Sequence, residues 1–281
     1  MKTGLVLEGG SLRGLYTCGI TDVFLENDIS FDGVIGVSAG AAFGCNYKSK
    51  QAGRAIRYNK RYARDPRYSS FSSLLLTGNL YNAEFCYHTM PTKLDVFDLE
   101  TYRSNPTEFW IVVTEYETAQ GVYKRLDDGG YEDMEWLRAS ASLPVAAQPV
   151  ELDGKLYMDG GIADSIPLEF FESQGFEKNI VILTQPKGFQ KPVQKGLPII
   201  ELFIRDTPAI CAKIEDRHIR YNEQTAYVAK RAAEGDVLAI YPDEPLDIGV
   251  FNHNPNDMQR IYDIGRAVGE KYLPQVREFL Q

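Results

Sequence analysis

Two clusters of small residues and one later carboxylate carry the chemistry that can be read from this chain. Gly36-Val37-Ser38-Ala39-Gly40 follows a short apolar run and leads into Ala-rich, helix-forming sequence. That layout is a strand, a sharp turn and a helix with Ser38 at the tip, and small residues at Gly36 and Gly40 let the two backbones pass close together. The hydroxyl would stand clear of the sheet edge above the positive end of the next helix, where developing negative charge is stabilised. The second cluster is Gly9-Gly10-Ser11-Leu12-Arg13-Gly14. Unpaired backbone N–H groups beside a helix N-terminus make such a loop an anion site. A dinucleotide pyrophosphate would ask for Gly-x-Gly-x-x-Gly and an acidic partner after a second strand, which this spacing does not supply. The other occupant is the oxyanion of an acyl-transfer intermediate formed at Ser38, and that pairing accounts for both clusters.

The carboxylate is Asp159. Asp153-Gly154, between apolar-bearing runs, signals a two-residue hairpin, so Asp159 ends the returning strand with Gly160 and Gly161 behind it. Asp127-Asp128-Gly129-Gly130 has almost the same wording and remains a rival. An exposed aspartate, with a pKa of about 3.9, is a poor base for a serine hydroxyl, so Asp159 would need desolvation and a direct hydrogen bond to Ser38. The chain has three histidines, His88, His218 and His253, of which His253 has the late position a Ser–Asp–His triad would use. Its simpler reading is a surface-loop histidine.

These groups must be held by α/β material. A strand at 3–7 precedes the glycine loop, and a helix follows it to Leu25. Strands are expected at 108–114, 122–126, 179–184 and 237–241, and helices at 132–141, from Pro167, at 207–233 and at 258–280. In the 207–233 helix Ile214, Ile219, Tyr221, Tyr227 and Val228 are the expected inward contacts. Residues 68–90 read as a connection with short helices, with Leu74, Leu75 and Leu76 as core or, second, as the lining of an acyl-chain groove. Residues 186–198, with Pro186, Pro192 and Pro198, read as a turn region or boundary. Strands set between helices imply a largely parallel or mixed sheet covered on both faces. The simplest organisation is one domain over 1–281, with 186–281 as a C-terminal helical extension packed on it.

Composition sets outer bounds. With 281 residues and 44% apolar content the chain can bury a large core. Cys18, Cys45, Cys86 and Cys211 lack metal-type spacing, no secretory leader is recognisable and no apolar run reaches the ~20 residues of a membrane span. The expectation is therefore a cytoplasmic protein without metal or cofactor, with any lipid contact peripheral. A net charge of −9 argues against nucleic-acid binding. Residues 48–67 reverse that sign, with eight basic residues against Asp65. Lys50, Arg54, Arg57, Arg61 and Arg64 recur at helical steps, which suggests a solvated face or a surface drawn to anionic head groups.

Gly9 to Gly14, Gly36 to Gly40, Ala139-Ser140-Ala141-Ser142-Leu143-Pro144 and Asp159-Gly160-Gly161 resemble, in order and context, the motifs of patatin-like phospholipases, nearest to the bacterial branch and over roughly the first 170 residues. The resemblance implies a three-layer α/β/α fold with a mostly parallel central sheet and a lipid acyl hydrolase that works without a metal. It implies Ser38 as nucleophile, Asp159 as base, and Gly9, Gly10, Ser11, Arg13 and Gly14 as the oxyanion loop, with fatty-acyl esters or phospholipids as substrates. Ser11 stands where the family often has a third glycine. A triad carboxylesterase of α/β-hydrolase type and a catalytically silent ligand- or partner-binding member are the alternatives.

Overall fold

The computed structural model describes residues 1–193 and 207–281. The chain opens with β1 (Lys2–Leu7), α1 (Gly14–Glu26), β2 (Gly33–Val37) and α2 (Ala39–Lys48). Next come α3 (Arg54–Tyr62), a short α4 (Phe71–Thr77), a wide helical stretch over Phe85–Leu94 and α5 (Leu99–Ser104). β3 (Glu108–Glu115), β4 (Gly121–Arg125) and α6 (Tyr131–Ser140) lead to the hairpin of β5 (Val150–Leu152) and β6 (Lys155–Asp159). Then follow α7 (Leu168–Ser173), β7 (Phe176–Ile182), α8 (Pro208–Glu215), α9 (Arg217–Glu234), β8 (Val237–Ile240) and α10 (Pro255–Phe279).

The sheet order is β5-β6-β3-β2-β1-β7-β8, with β4 also on β3. The run from β3 to β8 is parallel, and β4 and β6 join β3 antiparallel. Successive β1 residues enter different cores. Leu5 and Leu7 pack with α1, α2 and α10, whereas Val6 packs with Phe171 of α7 and with Tyr221 and Val228 of α9. That alternation is what a sheet covered on both faces requires, and it makes the molecule a three-layer α/β/α structure. α1 is buried along most of its length and meets α10 at bare backbone: a Cβ on Gly265 would lie 2.0 Å from Tyr16 O.

Several expectations need correcting. The helix expected at 207–233 is two helices meeting at Asp216, and Ile219 faces solvent while Ile214, Tyr221 and Val228 are buried and Tyr227 is half-buried. Periodicity identified the helical content, but not the break at Asp216 after which Tyr221 and Val228 of α9 join the core on the Val6 face. Leu75 and Leu76 are 87% and 85% exposed, so the Leu-rich run is not core. The basic stripe is not one solvent face either. Arg54 is buried and donates to Asp95 O and Asn46 Oδ1, Lys48 lies over the Tyr102 ring, and Arg57 pairs with Asp95. Lys50 and Arg64 fall outside α3; Arg57, Arg61, Arg64 and Arg67 are exposed. The expectation for Pro198 lies outside the described residues.

Candidate active site

Ser38 has φ 55° and ψ −119°, a left-handed backbone that costs a non-glycine residue roughly 1–3 kcal/mol. Close packing enforces it. A Cβ on Gly36 would sit 2.3 Å from Gly40 O, and one on Gly40 would sit 2.3 Å from Leu7 O, so strand, turn and helix reach this separation only with glycine at both positions. The Ser38 N–H donates to Ser140 Oγ at 3.0 Å, and that hydroxyl donates to Val112 O at 2.7 Å. Ser140 thus pins the turn to β3 from the end of α6.

The carboxylate arrives along the same strand. Val37, the last residue of β2, is opposite Val112, and Asp159, the last residue of β6, is opposite Val113, while β4 occupies the other edge with Val122 opposite Val113. β2 and β6 therefore abut end to end on one edge of β3, bringing Ser38 and Asp159 together. The Asp153-Gly154 turn that returns β6 has φ 50° and 75°, the left-handed pair a tight hairpin needs. Asp159 N donates to Ser142 O at 3.0 Å, and Thr114 Oγ1 donates to Asp159 O at 2.8 Å. Oδ1 accepts from Gly161 N at 2.8 Å, while Oδ2 is buried with no hydrogen-bond partner.

Burial pushes the Asp159 carboxyl above its ordinary value of 3.8. The neighbouring Ser38 hydroxyl, the Arg217 guanidinium and the Gly161 N–H favour the ionised form and offset part of that rise. Ser38 is within hydrogen-bonding influence of the carboxylate, yet Asp159 Oδ2 has no partner of ordinary hydrogen-bond geometry, a looseness common before substrate closes a site.

The glycine loop lies against the serine, for a Cβ on Gly9 would be 3.1 Å from Ser38 Cβ. Ser11 has φ 51°, the conformation a glycine would take without cost. Beneath the loop, Glu8 is 2% exposed and accepts from Thr184 N at 2.5 Å and Tyr221 Oη at 2.8 Å. Burial raises the Glu8 carboxyl, with those two bonds and the Arg13 and Lys191 charges opposing. Lys191, lowered to about 8 chiefly by burial and then by Arg217, adds positive charge beside Arg13 and Glu8. α9 braces both sides of the site: its Tyr221 donates to Glu8 beneath the glycine loop, and in the loop after Asp159 Arg217 Nε donates to Gly161 O at 2.5 Å and Arg220 Nη2 to Ile162 O at 3.0 Å.

Ser38 and Ser11 open onto a cavity of about 140 Å³ whose other walls include Leu12, Phe43, Tyr58, Leu80, Met90, Leu137, Leu143 and Val250. Asp127 and Asp128 lie elsewhere, paired with Arg125 and Arg103, which removes the rival carboxylate. His253 Nδ1 bonds to Ala63 O, His88 to Glu135 and His218 to Glu215 O, and none is bonded to Ser38 or Asp159. Among the described residues no group of three or more His, Cys, Asp or Glu side chains could hold a metal ion. Glu8, Ser140, Arg217 and Tyr221 were not singled out from sequence as parts of the site. Only Ser140 had a signal, its place in the Ala-Ser-x-Ser-x-Pro segment.

An α/β/α layered fold with a strained serine at a strand–helix junction defines a class of hydrolases. A sequence model narrows it: that of the patatin-like phospholipases matches residues 5–171, more than half of the chain, which therefore belongs to this family of lipid acyl hydrolases. A model of a domain of unknown function (DUF6363) matches residues 207–281. The chain is 25% identical over 291 residues to the uncharacterized protein YjjU of Escherichia coli, covering 99% of this chain and 79% of that protein. It is 27% identical over 297 residues to the lysophospholipase nte1 of Neurospora crassa, where it spans only 18% of the relative's length against 99% of its own. Among solved structures, VipD from Legionella pneumophila aligns at a TM-score of 0.48 with 13% identity, covering 98% of this chain and 67% of that one.

Proposed function

We propose that the protein hydrolyses fatty-acyl esters, phospholipids or lysophospholipids in preference to soluble esters, through a Ser38–Asp159 dyad. Asp159 Oδ2 takes the Ser38 proton as Oγ attacks the ester carbonyl. The tetrahedral oxyanion rests on backbone N–H groups of the Gly9–Gly14 loop, the alcohol leaves with the proton, and water then cleaves the acyl-enzyme through the same carboxylate. Gly36, Gly40, Gly160 and Gly161 keep the two loops close enough for this exchange. The cavity takes the acyl chain, and Arg13, Lys191 and Arg217 give the loop side of the site a positive field that favours an oxyanion and a phosphate-bearing substrate. Residues 1–281 act as one domain, since β8 extends the common sheet and α9 braces both loops.

The observation that carries this reading is the end-to-end meeting of β2 and β6 on β3, which sets a serine beside a buried carboxyl oxygen with no other partner. The test is hydrolysis of a panel of phospholipids, lysophospholipids and a short-chain nitrophenyl ester by the wild type, Ser38→Ala and Asp159→Asn. Both substitutions should abolish turnover of every substrate, and a fluorophosphonate should label the wild type but not Ser38→Ala. Turnover that survives Ser38→Ala would end the proposal; loss in His253→Ala would redirect it to a triad.

A further inference from the structure

We propose that α4 and the turn at Phe251 form a rim that seats the cavity mouth in the outer layer of a phospholipid bilayer, on the reading that the cavity receives a lipid acyl chain. α4 is seven residues long and its only buried residue is Ser73. Phe71, Leu75 and Leu76 are 70%, 87% and 85% exposed, and Phe251, 56% exposed, stacks on Phe71 with ring centroids 6.2 Å apart. Three large apolar side chains on a helix this short, joined by an aromatic from a distant segment, form a patch that water alone gives no reason to keep.

The patch is continuous with the site. Leu80 N donates to Ala146 O at 2.8 Å and Gln148 N to Asn79 Oδ1 at 3.0 Å, which fastens the segment after α4 to the loop that follows Ser142. Tyr68 and Leu80 on either side of α4, with Ala146 and Val250, line the cavity that ends at Ser38. A chain drawn out of a bilayer leaflet at this rim enters the cavity along apolar surface. The helix is also prepared for a poorly hydrated layer, because its hydroxyls bond locally. Ser70 Oγ caps Ser73 N at 3.0 Å and bonds Ser72 Oγ at 2.9 Å, and Thr77 Oγ1 donates to Ser73 O at 2.8 Å. No donor among these is stranded when the helix leaves water. Arg67, just before α4, is held by Asp65 at 2.7 Å, so the rim presents little free positive charge. With a net charge of −9 the chain as a whole is not drawn to anionic membranes, so insertion of the apolar rim carries the binding.

The test is flotation of the full chain with phosphatidylcholine vesicles, alongside hydrolysis of a soluble nitrophenyl ester. The wild type should float, and should still do so in about 0.5 M salt, where surface charge is screened. Leu75→Ser/Leu76→Ser should weaken vesicle affinity by about a hundredfold, roughly tenfold per leucine withdrawn from lipid, with ester turnover unchanged. Failure of the wild type to float, or equal flotation of the double variant, would overturn the rim. So would a concentration-dependent dimer that the double variant abolishes without any vesicle binding, since the patch would then belong to a second copy. Flotation without any ester or lipid hydrolysis would leave the rim standing and defeat the proposed activity instead.

Discussion

The floor and the rim of the cavity are built on opposite terms. At the floor the groups that hold the elbow, the glycine loop and the Asp159 loop in place are tied down: Ser38 N to Ser140, Asp159 N to Ser142, Glu8 to Thr184 and Tyr221, Gly161 O to Arg217. Asp159 Oδ2 and Arg13 Nε, by contrast, are buried without a hydrogen-bond partner. At the rim, apolar side chains stand in water on a helix with one buried residue. On the proposed reading the contrast is a division of labour, in which the floor holds geometry for the reacting atoms and the rim governs which surface the molecule meets.

The sharpest break of that comparison is Asp159→Asn. Activity toward soluble and lipid esters alike should fall by about four orders of magnitude or more. The same change should raise thermal stability at neutral pH. With its pKa above 3.8 in the fold, Asp159 favours the folded state fully only below that value, and loses the contribution as pH rises through its folded pKa. The gain should accordingly vanish in melts below pH 3.8. For the wild type, kcat/KM should climb with pH along an acid limb lying above the ordinary carboxylate value, and a limb at or below 3.8 would contradict a desolvated base.

Ser140→Ala comes next. It leaves Ser38 N and Val112 O without their bridge, and roughly tenfold to a hundredfold should be lost in kcat on soluble and lipid substrates equally, with KM little changed. A rim substitution should behave in the reverse way, raising the apparent KM on vesicles and sparing the soluble ester. If Ser140→Ala discriminated between the two substrates, floor and rim would not be separable. The smallest effect is expected at Ser11→Gly. Relief of the left-handed backbone should add about 1 kcal/mol of stability, read from denaturant unfolding, with turnover of the soluble ester altered only slightly.

Much of the floor was legible in the sequence because its signals are local. Gly36 and Gly40 flank Ser38 within one turn, and Asp153-Gly154 announces the hairpin that delivers Asp159. Glu8, Arg217 and Tyr221 were hidden because what they do depends on β1, β7 and α9 coming together, and no spacing along the chain encodes that meeting. The same limit explains the misread leucines. An apolar run without periodicity says that a surface avoids water, but not whether protein or something else will cover it. Arg54 failed for a related reason, since a helical repeat assigns a face but not the direction in which it points.

The junction of β2 and β6 along β3 has one further consequence. Side chains on a strand alternate between faces, so a slip of β6 by a single residue would send the Asp159 carboxylate to the other side of the sheet and present a neighbour in its stead. Under the proposed mechanism, activity is conditional on one pairing out of all that the hairpin could adopt, and a misregistered molecule, however well folded elsewhere, would be inert. A chain that works through the proposed dyad would carry its own quality control, since only correctly registered copies could bring the two groups together.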